Sequence, residues 1–185
     1  MLSFFARATH ERAGEIIYEH IEGLTYKITI ITYTYSPSPA DRPALTILWG
    51  DATYSELPRT EITVITTEIQ RNVYEGEHTY AAPGVFKLSV EDPNRNAGIV
   101  NIPNSVNIPF YIETELIINP FLGPNNSVVL YNPPLDYGCV NRLYIHNPAA
   151  YDPDGDSISY KLVVCKGAGG QPIPGYKYPN LVDES

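Results

Sequence analysis

Three aspartates stand at alternate positions near the C-terminal end, in the run Asp152-Pro153-Asp154-Gly155-Asp156-Ser157. Carboxylates crowded in this way repel one another, and a hard cation held by oxygen ligands is the usual relief. The run is not an EF-hand loop, because its sixth and twelfth positions hold Ser157 and Val163 in place of Gly and Glu. Asp, Pro and Gly also form turns, so an acidic turn without a metal is the alternative. We predict a structural calcium site with Asp152, Asp154 and Asp156 as ligands.

Cys139 and Cys165 are the only cysteines in the chain. In an exported protein, an even pair in an oxidising compartment suggests a disulfide. It would close a loop of roughly 25 residues and stabilise the fold by about 3 kcal/mol in the chain-entropy treatment. A zinc site needs four ligands, and His146 alone does not complete the set. We predict a Cys139–Cys165 disulfide, and two free thiols would count against both the disulfide and export.

Two short motifs in the first half of the chain combine aromatic, acidic and imidazole groups. In Trp49-Gly50-Asp51, a Trp at the end of an apolar strand is typical of a sandwich core, and the Asp carboxylate caps the turn that follows. His78 and Tyr80 come just before the Pro83-Gly84 reversal, where Tyr80 could close a corner by a hydrogen bond to backbone. His78 could act as a general base or metal ligand, or simply bond a loop from the end of its strand. We favour the structural role.

The composition indicates which elements must position these groups. Tyr is frequent (15 residues), and 17 Pro and 13 Gly punctuate the sequence. Aromatic and β-branched residues suit pleated strands, while Pro and Gly favour turns, so the chain is predicted to be all-β. The net charge of −9, with no basic stripe, argues against nucleic acid as a partner.

The spacing of turn signals divides the chain into two modules. Residues 9–120 are predicted to form one sandwich, and the Pro-, Gly- and Asn-rich segment 119–126 marks the junction. Residues 121–185 are predicted to hold the start of a second, incomplete β-sandwich. The strands are expected at 24–35, 45–49, 61–66, 72–74, 85–91, 105–118 (two strands divided at Pro109), 128–131, 143–146 and 157–164.

The first eight residues resemble the end of an export signal. Leu2-Ser3-Phe4-Phe5 is apolar, and Ala6-Arg7-Ala8 has the small-x-small pattern of signal-peptidase cleavage. We interpret residues 1–8 as the tail of a signal peptide whose beginning is truncated here. No other stretch is apolar for long enough to span a bilayer. The expected location is therefore secreted or at the cell surface.

The segments around Trp49-Gly50-Asp51 and His78-Thr79-Tyr80 through Gly84-Val85-Phe86 resemble the PKD domain, an immunoglobulin-like sandwich of extracellular proteins. The family carries a Trp-Gly-Asp-Gly turn and a His-x-Tyr…Gly-x-Phe/Tyr strand. This chain has Ala52 where the family usually has Gly. The resemblance covers roughly residues 26 to 92 and implies a structural role for the two motifs.

A wider resemblance covers almost the whole chain. Segments 9–16, 91–96 and 151–157 look like the N-terminal regions of large Bacteroidetes surface proteins, often associated with gliding motility or type IX secretion. The order Asp-x-Asp-Gly-Asp-x-Ile-x-Tyr is similar to the calcium signature of bacterial cadherin-like modules. That resemblance implies bound calcium completed by a ligand from elsewhere, for which Asp136 and Asn147 are candidates.

These resemblances imply a non-catalytic structural or adhesion module, stabilised by calcium and joined to other modules of one long chain. A surface protein or a polysaccharide is the expected external partner. The alternative is an accessory carbohydrate-binding module of a secreted polysaccharide- or protein-degrading enzyme. Three or more tyrosines on one exposed face would favour that alternative, because aromatic rings stack on sugars.

Overall fold

A computed structural model describes residues 11–39, 41–93, 95–134 and 143–182. The described chain is nearly all β, which confirms the predicted fold class. Three short 3₁₀ turns lie at Ser105–Asn107, Ala168–Gly170 and Pro179–Leu181. The strands are β1 (Glu11–Glu22), β2 (Thr25–Tyr35), β3 (Ala44–Leu48), β4 (Tyr54–Thr66), β5 (Ile69–Thr79), β6 (Gly84–Asp92), β7 (Phe110–Ile118), β8 (Val129–Leu130) and β9 (Ala150–Tyr151).

Strands β1 to β7 follow the spatial order β1-β2-β5-β4-β3-β6-β7, and all their pairings are antiparallel. This is the strand order of an immunoglobulin constant-type sandwich, in which four strands face three. The first layer holds β1, β2, β5 and β4, and the second layer holds β3, β6 and β7. Strand β4 belongs to both sheets. Its first part, from Tyr54 to Pro58, pairs with β3, and its second part, from Arg59 to Thr66, pairs with β5.

The core lies between the two layers and contains apolar side chains from both. Strand β2 alternates as period-two burial requires, and Tyr26, Ile28 and Ile30 are almost completely buried on its inner face. Trp49, at the end of β3, and Leu88 of β6 meet them from the other layer. A smaller cluster of Ile31, Tyr33 and Ile69 covers the opposite face of the first layer. The core members are Ile16, Tyr18, Tyr26, Ile28, Ile30, Leu45, Ile47, Trp49, Leu57, Tyr74, Tyr80, Leu88, Val90, Leu116 and Ile118.

Three predicted strands are wrong. Residues 143–146 and 157–164 form no ladder, although their sequences suit strands, because no described strand lies beside them to accept their backbone hydrogen bonds. Ser105–Asn107 is a 3₁₀ turn that begins after Asn104, whose φ of +55° is left-handed. Conversely, β1 was not among the predicted strands.

The described residues after position 120 pack against the sandwich and do not form a second sandwich of their own. The one ladder within residues 121–134 and 143–182 is the β8–β9 ribbon. Beyond it, the side chain of Ile173 is buried, and Gly169 N–H donates to the Glu91 carboxylate at 2.7 Å. Lys177 N–H donates to the carbonyl of Asn101 at 3.2 Å. The predicted boundary near residue 120 therefore separates two segments that contact each other extensively.

Candidate functional site

The turn after β3 is built around the buried indole of Trp49. Gly50 has a φ of +82°, and a Cβ at that position would lie 2.6 Å from the backbone nitrogen of Lys87, so no other residue fits there. The Asp51 carboxylate accepts hydrogen bonds from Thr53 N–H at 3.0 Å and from the Thr53 hydroxyl at 2.5 Å. Ala52 adopts a left-handed φ of +69°. The turn thus has the glycine-like conformation in spite of its alanine.

His78 and Tyr80 at the end of β5 pack against this turn. The His78 ring stacks on Trp49 at 4.5 Å with an interplanar angle of 5°, and its Nε2 lies 2.7 Å from the Asp51 carboxylate. The Tyr80 hydroxyl donates to the Trp49 carbonyl at 3.1 Å. Phe86, two residues after Gly84, stacks on Tyr80 at 4.0 Å. The structure therefore brings the two motifs together in one aromatic and polar cluster, which we call the Trp49 cluster.

Electrostatics in the Trp49 cluster favour a charged Asp51. Desolvation acts to raise the pKa of Asp51, but hydrogen bonds from Thr53 and His78 outweigh it and hold that pKa at about 2. Burial, together with the Asp51 charge, raises the pKa of Tyr80 well above its ordinary value. The indole N–H of Trp49 donates to the Ser55 hydroxyl at 2.9 Å. These polar groups stabilise one another, so the cluster holds the turn after β3 against the end of β5.

The aspartate run forms a turn held by hydrogen bonds. Asp152 Oδ1 accepts from the N–H groups of Asp154 at 2.9 Å and Asp156 at 3.2 Å. Both oxygens of Asp154 accept from Asn126, at 2.6 Å from its backbone N–H and 2.8 Å from its side-chain amide. Within the described ranges, no group of three or more Asp, Glu, His or Cys side chains is placed to hold a metal ion. The hydrogen bonds at Asp152 and Asp154 are those of an acidic turn.

Of the two additional candidate ligands, only Asn147 lies among the described residues, and its polar atoms are engaged in its own loop. Asn147 lies in the loop before β9, where its side-chain oxygen accepts Ala149 N–H at 2.9 Å. The carbonyl of Asn147 accepts from the Asn132 amide at 2.8 Å. Asp136 lies outside the described residues. Calcium binding stays a prediction.

The Cys165 sulfur is half-buried, lies 3.6 Å from a guanidinium nitrogen of Arg95 and is bonded to no other cysteine among the described residues. Its predicted partner Cys139 lies outside the described residues, and so do residues 1–8 with the predicted signal-peptide tail. The disulfide and the export signal therefore stay predictions.

Sequence reasoning missed Arg95, which joins the sandwich to the C-terminal segment. Its side chain is 5% exposed. The guanidinium donates to the Pro109 carbonyl at 2.8 and 3.2 Å and to the Lys166 carbonyl at 2.9 Å, and it lies over the Phe110 ring. The sequence carries no signal for this role, since both main acceptors are backbone carbonyls distant along the chain.

A cleft of about 630 Å³ separates β1 and β7, and the aspartate turn lies at its rim. Glu15, Tyr18, Asn126 and Asp156 are among its lining residues. Burial raises the pKa of Glu15 to about 7, with Arg71 acting in the opposite direction. The Glu15 carboxyl interacts electrostatically with Arg71 and Tyr33, which do not line the cleft, so its raised pKa belongs to the other face of β1.

Tyrosines are divided between the core and the surface. Five of the tyrosines that the structure describes are buried, among them Tyr26, Tyr74 and Tyr80. Tyr131 and Tyr151 are 67% and 51% exposed, and their rings lie 6.2 Å apart on the β8–β9 ribbon. This pair is smaller than the three-tyrosine face that would favour the carbohydrate-binding alternative.

No helix in the described parts of the chain is long and apolar enough to cross a membrane.

Comparison with protein-family models, with curated proteins and with solved structures gives no match. The PKD-like and surface-protein resemblances consequently depend on the motif residues themselves.

Proposed function

We propose that this chain is a non-catalytic structural or adhesion module of a large secreted or cell-surface protein. The observation that carries the proposal is the Trp49 cluster, in which His78 and Asp51, the side chains best suited to chemistry, bond and stack within the cluster. His78 stacks on the indole of Trp49 and bonds to Asp51, which itself accepts hydrogen bonds from Thr53, and these contacts hold the turn rigid. This is the use expected in an immunoglobulin-like spacer.

The sandwich is suited to a place among other modules of the same long chain. An all-β sandwich with a net charge of −9 would stay soluble and resist association with anionic surfaces. The motif resemblance supports an outer-membrane-associated or secreted location of the kind described for gliding-motility proteins. The external partner would be a surface protein or a polysaccharide.

Immunolabelling of cells that produce the protein tests this proposal. An antibody against the chain should label intact cells, and protease added to intact cells should remove the label. A cytoplasmic protein of the same cells serves as the control and should be labelled only after permeabilisation. Labelling of this chain that appears only after permeabilisation would contradict the proposed location.

Calcium stabilisation is part of the proposal, and the Asp-rich sequence supports it more than the arrangement of carboxylates does. Extracellular modules bind calcium with dissociation constants of about 10⁻⁴ to 10⁻³ M, so calcium near 1 mM would add about 0.4–1.4 kcal/mol to the free energy of unfolding. We expect thermal melts with millimolar calcium and with chelator to differ by a few degrees. The substitution Asp154→Asn should abolish the difference, because it keeps an acceptor for Asn126 while weakening a calcium ligand. Melts that coincide with and without calcium would refute this part.

A second function, carbohydrate binding as an accessory module of a secreted enzyme, is favoured by the exposed Tyr131–Tyr151 pair. Its rings present apolar faces on which sugar rings can stack. Affinity electrophoresis in gels containing soluble polysaccharides should show retardation that Tyr151→Ala removes. The matched control is Tyr54→Ala, which truncates a tyrosine of 70% exposure on β4. Unretarded migration in every polysaccharide would eliminate this second function.

A further inference from the structure

The first layer of the sandwich has two edges, and the residues that the structure describes protect only one of them. At the β1 edge, Tyr18 N–H donates to the Ser127 hydroxyl and Ser127 N–H donates back to the Tyr18 carbonyl, both at 2.9 Å. His20 N–H donates to the side-chain oxygen of Asn126 at 2.8 Å. Side chains and backbone of the segment after β7 therefore occupy the groups that β1 would offer to another strand.

The other edge is the second part of β4, which no strand or loop of the described residues covers. Strand β3 covers β4 only as far as Pro58, and the last outward bond is from Arg59 N–H to the Pro43 carbonyl at 2.8 Å. From Thr60 to Thr66, the backbone pairs with β5 on one side, and no described residue pairs with it on the other. Every side chain in this stretch is exposed. An exposed edge of this kind presents unpaired N–H and C=O groups to other strands.

The composition of the open edge, Thr60-Glu61-Ile62-Thr63-Val64-Ile65-Thr66, does little to prevent pairing. Protected edges usually carry lysine, proline or inward-pointing charges. This one has a single charge, Glu61, which is bonded to Arg71 at 3.0 Å. Ile62 and Val64 are 50% and 67% exposed. Bulges next to Thr60 and Ile65 limit the regular ladder to residues 61–64.

The edge is complementary to itself. Two copies related by a two-fold axis perpendicular to the sheet form antiparallel pairs between residues of the same face. With the axis at Thr63, Thr63 lies opposite Thr63 of the second copy, and Ile62 lies opposite Val64. Pairs of threonines and of β-branched apolar residues are favourable across strands. All three central pairs fall inside the unbulged stretch, and no like charges face each other.

We propose that a second copy of this chain pairs with the second part of β4, antiparallel about Thr63, and so joins two four-stranded layers into one continuous eight-stranded sheet. The contact is short, since the bulges at both ends end the ladder, so the dimer is weak and concentration-dependent. Because each copy carries a net charge of −9, added salt screens their repulsion and strengthens the pairing.

Sedimentation equilibrium of the whole chain, from micromolar to near-millimolar concentration, tests the proposal. The chain should dimerise reversibly, and Val64→Lys should raise the dissociation constant at least tenfold. The matched control is Val85→Lys on β6, where the side chain is 62% exposed, and it should leave the constant unchanged. A monomer at every concentration, or a dimer unaffected by Val64→Lys, would overturn the proposal.

Cysteine crosslinking tests the register. Under oxidation, Thr63→Cys should give a covalent dimer whose peptide map shows the two substituted positions linked, because residues on the axis face each other across the pair. Thr60→Cys on the same edge lies opposite Thr66 of the second copy and should not crosslink in this way. Equal crosslinking at positions 60 and 63 would rule out the assigned register. Circular dichroism melts of each variant establish that it is folded.

Discussion

Ala52 stores strain at a position that suits glycine. Its φ of +69° places a Cβ where the left-handed backbone crowds it, at a cost of roughly 1–2 kcal/mol. Glycine removes that cost but gains freedom in the unfolded chain, so we expect Ala52→Gly to stabilise the fold by about 0.5–1 kcal/mol. Urea denaturation measures this change. Gly50→Ala is the contrasting variant and should be strongly destabilising, since its Cβ would collide with the Lys87 backbone. A destabilising Ala52→Gly would contradict the turn geometry.

Asp51 makes the free energy of unfolding depend on pH in the acidic range. Its folded pKa of about 2 lies below its ordinary value of 3.8, so its contribution is complete above about pH 4 and is lost as the pH falls toward 2. We expect Asp51→Asn to lower the free energy of unfolding by about 1–2 kcal/mol at neutral pH and by little near pH 2. Denaturation at several pH values measures the difference. Glu77→Gln, at an exposed residue next to His78, should have no comparable effect. A pH-independent loss in Asp51→Asn would show that its charge is unimportant.

Glu15 makes stability depend on pH in the opposite sense. Burial raises its folded pKa to about 7 from 4.5, so its contribution is complete below pH 4.5 and is lost as the pH rises through 7. We expect Glu15→Gln to stabilise the protein by about 1–2 kcal/mol near pH 8 and by little near pH 4. Glu19→Gln, at an exposed residue of the same strand, is the control for denaturation curves at both pH values. Equal effects of the two substitutions would count against the burial of Glu15.

At the scale of elements, strands that alternate clearly could be predicted and irregular ones could not. β2, β3 and β6 alternate apolar and polar residues, and their predicted bounds differ from the observed ones by at most one residue at either end. β1 escaped prediction because glutamate, glycine and alanine, residue types depleted in strands, make up half of its sequence, ERAGEIIYEHIE. The Trp49 turn and the His78 strand end were recognisable from residue types. Their meeting in one cluster depends on the sheet topology, which no local pattern encodes.

The segment 157–164 shows the limit of a periodic pattern. Ile158, Tyr160, Leu162 and Val164 alternate as in a half-buried strand, yet Tyr160 and Leu162 are 66% and 70% exposed. Alternation expresses a preference for a pleated surface, but a strand also needs a neighbour. Residue types are likewise insufficient at the aspartate turn. Its three carboxylates suit calcium, while Asp152 accepts hydrogen bonds from backbone N–H groups of the turn.

At the scale of the whole molecule, Arg95 determines how firmly the C-terminal segment is held. Substituting Arg95→Met should leave the partly buried Pro109 carbonyl without its donor and cost about 1–3 kcal/mol of unfolding free energy. It should also speed proteolytic cleavage between residues 165 and 177, which mass spectrometry of timed digests would locate. Lys87→Met removes a side chain that is 59% exposed and should change neither quantity. Unchanged cleavage in Arg95→Met would show that other contacts hold the segment.

Strand β4 couples the opening of one layer of the sandwich to the opening of the other. Since it is paired with β3 at one end and with β5 at the other, neither layer can open fully without releasing a strand of the other. Amide protons of β2 and β6, one from each layer, should therefore exchange with solvent at the same opening free energy, as one cooperative unit. Hydrogen exchange followed by mass spectrometry measures both. Protection that is lost in β6 well before β2 would mean that the two layers open separately in spite of the strand they share.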